Sequence, residues 1–143
     1  MSTPATIARA ECAVGEVALR SRGPHTELIV NGAFVMDTVD VSTEVALATH
    51  ALERHLDPRR VLVGGLGLGF TARAVLDDPR VEQATIVEIA SPLIEWAGAG
   101  MLPAAGLDDE RLTLRAGDVA EVLAQTLGEW DLILLDVDNG PGF

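Results

Sequence analysis

The segment VLVGGLGLGF, residues 61–70, turns from an apolar run into a cluster of four glycines in six positions: Gly64, Gly65, Gly67 and Gly69. The first half reads as a buried strand, but so many glycines suit neither strand nor helix, because each costs backbone entropy and offers no side chain to pack. A chain that spends four glycines here needs either a very tight turn or a close approach to bare backbone. The surrounding pattern supplies the context. Strand-like runs RVLVG, ATIVEI, RLTLR and WDLILLDV alternate with helix-like runs FTARAVLDD, SPLIEWAGAG and VAEVLAQTL. Such alternation predicts βαβ units and a doubly wound, mostly parallel α/β sheet. Ser91-Pro92 reads as a helix start, a capping side chain followed by proline in the first turn.

Upstream the pattern is different. EVALRS, TELIVNG and AFVMDT are separated by Gly23-Pro24 and by Asn31-Gly32, a strong hairpin signal, which predicts a small antiparallel β-element over residues 1–42. Helical spacing from Thr43 to Leu56 then leads into the parallel region, taken as one nucleotide-binding unit over 43–143. At 143 residues the chain has the length of a single domain and buries roughly 68% of its unfolded surface.

Charge narrows the partners. Ten basic against 22 acidic residues leave a net charge of −12, which argues against nucleic acid and leaves cations and amines open. Cys12 is the sole cysteine, so neither an internal disulfide nor a cysteine zinc cluster can form, and no metal is expected. The N-terminus lacks a basic region followed by a sustained apolar one, and no run of about 18 apolar residues occurs, so no membrane association and a cytoplasmic location are expected.

Gly65, Gly67 and Gly69 fall where the first parallel strand gives way to a helix, the turn that faces a nucleotide in doubly wound sheets. Their spacing is G-x-G-x-G, since position 70 is Phe, and a tight connection with nothing bound remains an alternative. Glu88 ends the next strand, one helix and one strand beyond Gly69, where a carboxylate can accept hydrogen bonds from both ribose hydroxyls or simply meet solvent. Asp118 opens a helical run that carries Glu121 in its first turn, the arrangement of an N-cap and its box partner, and the same carboxylate can meet an adenine amino group. Asp136 ends the last strand at the carboxyl edge of the sheet, where it either caps a turn or orients and deprotonates an amine.

Taken in order, these blocks resemble the spermidine synthase family, within the Rossmann-like class I S-adenosylmethionine-dependent methyltransferase fold. The resemblance spans Thr26 to Gly140 and is densest in RRVLVGGLGLGFTARAVLDDPRVEQATIVEIA; RAGDVAEVL and WDLILLDVDNG match two further family segments. It implies that Gly65, Gly67 and Gly69 approach the nucleoside and its sulfur-bearing tail, that Glu88 holds the ribose, Asp118 the adenine, and that Asp136 helps activate an attacking amine. The implied small-molecule ligand is S-adenosylmethionine, its decarboxylated form or methylthioadenosine.

Departures from the family pattern concentrate on the amine side. The aspartate of the family's glycine motif falls on Leu68, and its second aspartate after the fourth strand falls on Asn139, beside Asp138. Its Tyr-His-Glu segment is replaced by VSTEVAL, its hairpin glutamine falls near Val35-Met36, and the chain has no tyrosine. The resemblance thus implies a kept adenosine half and a degenerate polyamine half. Methyl transfer on the same fold and a non-catalytic nucleotide-binding or interaction domain are the competing functions. Chains of this fold continue beyond the fourth parallel strand, so a C-terminally truncated sheet is expected, with LILLDV as an edge belonging to a fragment or covered in a homodimer.

Overall fold

A computed structural model describes residues 3–136; Asp138, Asn139 and the Gly140-Pro141-Gly142 turn lie outside the described residues. Strands β1 (Ala5–Cys12), β2 (Gly15–Arg22), β3 (His25–Val30) and β4 (Ala33–Asp37) form an antiparallel sheet in sequential order. Of these, β1 is an addition to the three expected strands. Its alternating alanines carry little β-propensity, and pairing along β2 supplies what local preference does not. The Asn31-Gly32 hairpin forms as its residues dictate, with φ of 51° and 77°. The Asn31 side chain also accepts from the Glu16 amide (2.8 Å) and donates to the Val14 carbonyl (2.9 Å), clasping the neighbouring turn.

Helix α1 (Ser42–Arg54) leads to the second layer: β5 (Arg60–Gly64), α2 (Phe70–Leu76), β6 (Gln83–Glu88), α3 (Ser91–Gly98), β7 (Leu112–Ala116), α4 (Val119–Gln125) and β8 (Leu132–Leu135). The strands are parallel in the order β7-β6-β5-β8. β5 is central, and Val61, Leu62 and Val63 are wholly buried, as an apolar run flanked on both faces requires. Val61 and Val63 join the main core with Leu52 of α1, Val75 of α2 and Trp96 of α3. Leu62 packs instead with Val87 and Val122, beneath α4. The chain thus winds from β5 out to β7, then crosses back by α4 to β8 on the other side of β5. That reversal creates a switch point at the carboxyl ends of β5 and β8, the place where open α/β sheets bind ligands. β8 has one hydrogen-bonded neighbour among the described residues, and Ile133 and Leu135 stand exposed on it.

Two local expectations need correction. α1 ends at Arg54, short of Leu56, which is fully exposed. Ser91 does not cap α3: Ala90 occupies the N-cap position without a capping side chain, Ser91 is the first helical residue, and the Ala90 amide donates to Glu88 Oε2 (2.9 Å). The helix simply begins one residue earlier than a serine cap requires.

Ion pairs fasten the periphery. Glu27, buried on β3, accepts from Arg22 Nε (2.6 Å) and from Arg20 Nη2 (2.8 Å) on β2. These guanidinium hydrogen bonds, Arg22 first, hold the Glu27 carboxyl below its ordinary value of 4.5. The unfolded chain therefore takes up the proton more readily, so the stabilisation is complete above pH 4.5 and lost as acid protonates the folded state. Glu27→Gln is expected to lower the melting temperature at pH 7, with the gap to wild type closing as pH falls below 4.5. A gap that stays constant down to pH 3 would show that the pairing contributes nothing. At the amino edge of the parallel sheet, Arg111 bonds Asp109 and the carbonyls of Leu76 and Val81, and its guanidinium holds the Asp109 carboxyl down to about 2.

Candidate functional site

The glycine turn is built first by the protein's own packing. A β-carbon at Gly64 would lie 3.0 Å from Val119 and 3.2 Å from Leu135, so this glycine lets α4 and β8 close on β5. Gly67 has φ of +53°, and a β-carbon there would meet Met36 Sδ of β4 at 2.8 Å. Gly69 is the N-cap of α2 at φ +96°, where a β-carbon would meet Leu107 at 2.7 Å and Ala104 at 3.0 Å. Left-handed backbone and crowded neighbours together require glycine at both positions. Leu68, between them, is 1% exposed and belongs to the main core.

Glu88, 8% exposed at the end of β6, fastens this turn. Its Oε1 accepts from the amides of Leu66 (2.8 Å) and, more distantly, Gly67 (3.5 Å), while Oε2 accepts from Ala90. A carboxylate has about four acceptor positions, so capacity remains for a hydroxyl donor beside these bonds. The next strand brings Asp118 to the same edge. The Gly117 amide donates to the Glu88 carbonyl (3.0 Å), and Asp118 caps α4 by accepting from the Ala120 amide (2.9 Å). Gly65, Glu88 and Asp118 follow three successive parallel strands, and they meet around one cleft of about 130 Å³, with Val87, Ile89, Gly117 and Val119 as its other walls. Gly67 and Gly69 shape the turn behind it and are not among its lining residues.

Asp136 sits at the other lip of the switch point. Its amide donates to the Gly64 carbonyl (2.8 Å), and its Oδ2 accepts from the Thr71 hydroxyl at 2.6 Å. Thr71 is 1% exposed in the first turn of α2, so this bond fixes the carboxylate against the start of that helix. Sequence reasoning missed Thr71; the available signal was a hydroxyl in an otherwise apolar helix face, FTARAVL. A larger hollow of about 500 Å³ lies in the loop over 97–108 and touches none of the expected residues. Among the described residues no group of three His, Cys, Asp or Glu side chains is placed to hold a metal ion, and no helix is long and apolar enough to cross a membrane.

The sequence profile of the spermine/spermidine synthase domain matches residues 41–142. The chain belongs to that family. Among its relatives, the polyamine aminopropyltransferase of Bacillus mycoides is 36% identical over 111 residues, covering 76% of this chain and 40% of the relative. The spermidine synthase of Dictyostelium discoideum is 34% identical over 126 residues, covering 86% and 44% respectively. The chain thus spans about 40% of the length of the curated relatives it matches. Its fold superposes with a TM-score of 0.82 on the Thermotoga maritima spermidine synthase, at 25% identity over 92% of this chain and 47% of that one. A spermidine synthase solved in complex with the transition-state analogue AdoDATO gives 0.84 over 94% and 47%, at 24% identity. This is a spermidine synthase-like domain with a class I methyltransferase-like fold.

Proposed function

We propose that this domain is a transferase that binds decarboxylated S-adenosylmethionine as substrate and methylthioadenosine as product, with the adenosine in the cleft between Gly65 and Asp118. The observation that carries the reading is the meeting of Gly65, Glu88 and Asp118 around one cleft beside the switch point. Glu88 takes a ribose hydroxyl on its remaining acceptor position, and Asp118 takes the adenine amino group while continuing to cap α4. Asp136, braced by Thr71, faces the acceptor amine. An amine nitrogen attacks the methylene carbon next to the sulfonium, a C–N bond forms, the C–S bond breaks, and its electron pair neutralises the sulfur. The ammonium formed then gives up a proton, for which Asp136 is the base. The protein's contribution is positioning and electrostatic stabilisation.

The acceptor side is reduced. Leu68 is packed into the core, so no carboxylate from the glycine turn reaches an ammonium group. Burying an ammonium with few partners costs several kcal/mol. Spermidine formation from 1,4-diaminobutane is therefore expected to be weak, with kcat/KM below about 10⁴ M⁻¹s⁻¹. Robust turnover would show that other carboxylates have replaced the missing contacts. The same apolar Leu68 favours the second reading, methyl transfer from intact S-adenosylmethionine to a different acceptor.

Calorimetric titration separates these readings. Preference for the decarboxylated cofactor supports aminopropyl transfer, and preference for the intact one supports methylation. Binding of neither, nor of methylthioadenosine, rejects both in favour of an interaction domain.

A further inference from the structure

Thr71, the second residue of α2, is 1% exposed among that helix's buried residues Ala72, Val75 and Leu76. Valine has the same branched shape with no polar atom to satisfy, so packing alone gives no reason for a hydroxyl here. Its one side-chain hydrogen bond among the described residues is donated to Asp136 Oδ2 at 2.6 Å. The register of β8 does not depend on that bond, because the Asp136 amide already donates to the Gly64 carbonyl at 2.8 Å. Asp131, just before the amino end of β8, offers a contrast: its Oδ2 accepts from the backbone amides of Arg59 (3.1 Å) and Arg60 (2.9 Å). The Asp136 carboxylate accepts from no backbone amide among the described residues, and its Oδ1 has no donor there.

The terminal torsion of an aspartate is broad and roughly two-fold, so an unrestrained carboxylate exchanges its two oxygens freely. A donor on one of them stops that exchange. At 2.6 Å the bond from Thr71 has the length of a charge-assisted O–H···O contact, the stronger class of hydrogen bond. The donor is itself held in a buried helix turn, so the carboxylate takes its orientation from the scaffold. Oδ2 is occupied, and Oδ1 is the oxygen left to meet a ligand.

From this arrangement we infer that Thr71 is a positioning residue for the transfer step, holding Oδ2 so that Oδ1 alone accepts the proton. Once the C–N bond has formed, an N–H bond of the new ammonium breaks. Its electron pair stays on nitrogen, and the proton ends on Oδ1. The hydroxyl proton of Thr71 stays on its own oxygen throughout. At 1% exposure Thr71 is out of reach of the substrate, so its influence falls on the rate of the bound complex and not on binding. The inference rests on the transferase reading above and adds to it which oxygen acts and what fixes it.

Two variants separate the hydroxyl from the packing. Thr71→Val keeps the shape and removes the donor, whereas Thr71→Ser keeps the donor and removes a buried methyl group. Each is assayed in the 143-residue chain with decarboxylated S-adenosylmethionine and 1,4-diaminobutane, by single-turnover rate at saturating amine and by thermal melt. Thr71→Val is expected to slow the single turnover by about tenfold to a hundredfold, with half-saturation by the amine and methylthioadenosine affinity within about twofold of wild type. Thr71→Ser is expected to keep the rate within about threefold although its melting temperature falls. A merely structural threonine gives the reverse order, with activity following the melting temperature and the serine variant the slower of the two. A wild-type rate in Thr71→Val, a loss in Thr71→Ser as large as in Thr71→Val, or a valine variant that does not fold overturns the assignment and leaves the transferase reading standing. No turnover by wild type sinks the transferase reading itself, and the inference with it.

Discussion

Glu88→Gln is expected to weaken methylthioadenosine binding by about 1.5–3 kcal/mol, roughly a 10- to 150-fold rise in Kd, and to lower the melting temperature as well. Both effects follow from one carboxylate with two duties. Toward the ligand, the substitution removes the charge that strengthens the hydrogen bond to a ribose hydroxyl. Toward the protein, it replaces one acceptor oxygen by an NH₂ group that must face either the Leu66 amide or the Ala90 amide, bonded to Glu88 at 2.8 Å and 2.9 Å in the wild type. One buried amide loses its acceptor, at a cost of about 1–3 kcal/mol, and the melting temperature should fall by roughly 3–15 °C for a chain of this size. The two losses separate if binding is titrated well below the melting range, where wild type and variant are both folded. A lower melting temperature with unchanged Kd would leave Glu88 as a tie between the glycine turn and α3, with no part in nucleoside recognition.

That double duty marks the limit of what the sequence discloses. The landing of Glu88 at the end of β6 and the capping role of Asp118 are legible because each depends on a few neighbouring residues. The buried character of β5 is legible for the same reason: VLV is an apolar run bounded by turn residues. What stays hidden depends on helix boundaries and on groups from distant parts of the chain. Ser91 looks like a cap, but the helix starts one residue earlier and Ala90 takes the N-cap position. β1 is absent from the three expected strands and forms by pairing along β2. The glycine spacing leaves a tight turn and a close ligand approach both open, and the groups that crowd the turn come from elsewhere: a β-carbon at Gly67 would meet Met36 from the antiparallel sheet, and one at Gly69 would meet Leu107 from the loop after α3. The bond between Thr71 and Asp136, 65 residues apart, has no local signature beyond a hydroxyl on a buried helix face.

The crowding at Gly67 sets up the other large effect. Gly67→Val is expected both to destabilise the fold and to cost at least tenfold in methylthioadenosine affinity. A β-branched residue at φ +53° is strained by about 1–3 kcal/mol, whatever surrounds it. The new β-carbon would also stand 2.8 Å from Met36 Sδ and 3.1 Å from its Cε. A methionine end is flexible and can swing aside, so this contact is the cheaper part to relieve. The turn itself has less freedom. The amides of Leu66 and Gly67 both point at Glu88, and a turn that opens to admit a side chain withdraws them from that carboxylate. Affinity should therefore fall even though Gly67 does not line the cleft. The decisive measurement pairs a thermal melt with a titration on the same sample. If the melt drops but the folded protein binds normally, the glycine is structural and the cleft does not depend on the turn. If neither changes, the glycine turn gives no support to a nucleotide site. Combining Gly67→Val with Met36→Ala then apportions the cost. Recovery of more than about 0.5 kcal/mol beyond additivity assigns that share to the methionine contact, and the remainder belongs to the left-handed backbone. Binding should stay weak in the double variant, because removing the methionine side chain does not return the Leu66 and Gly67 amides to Glu88.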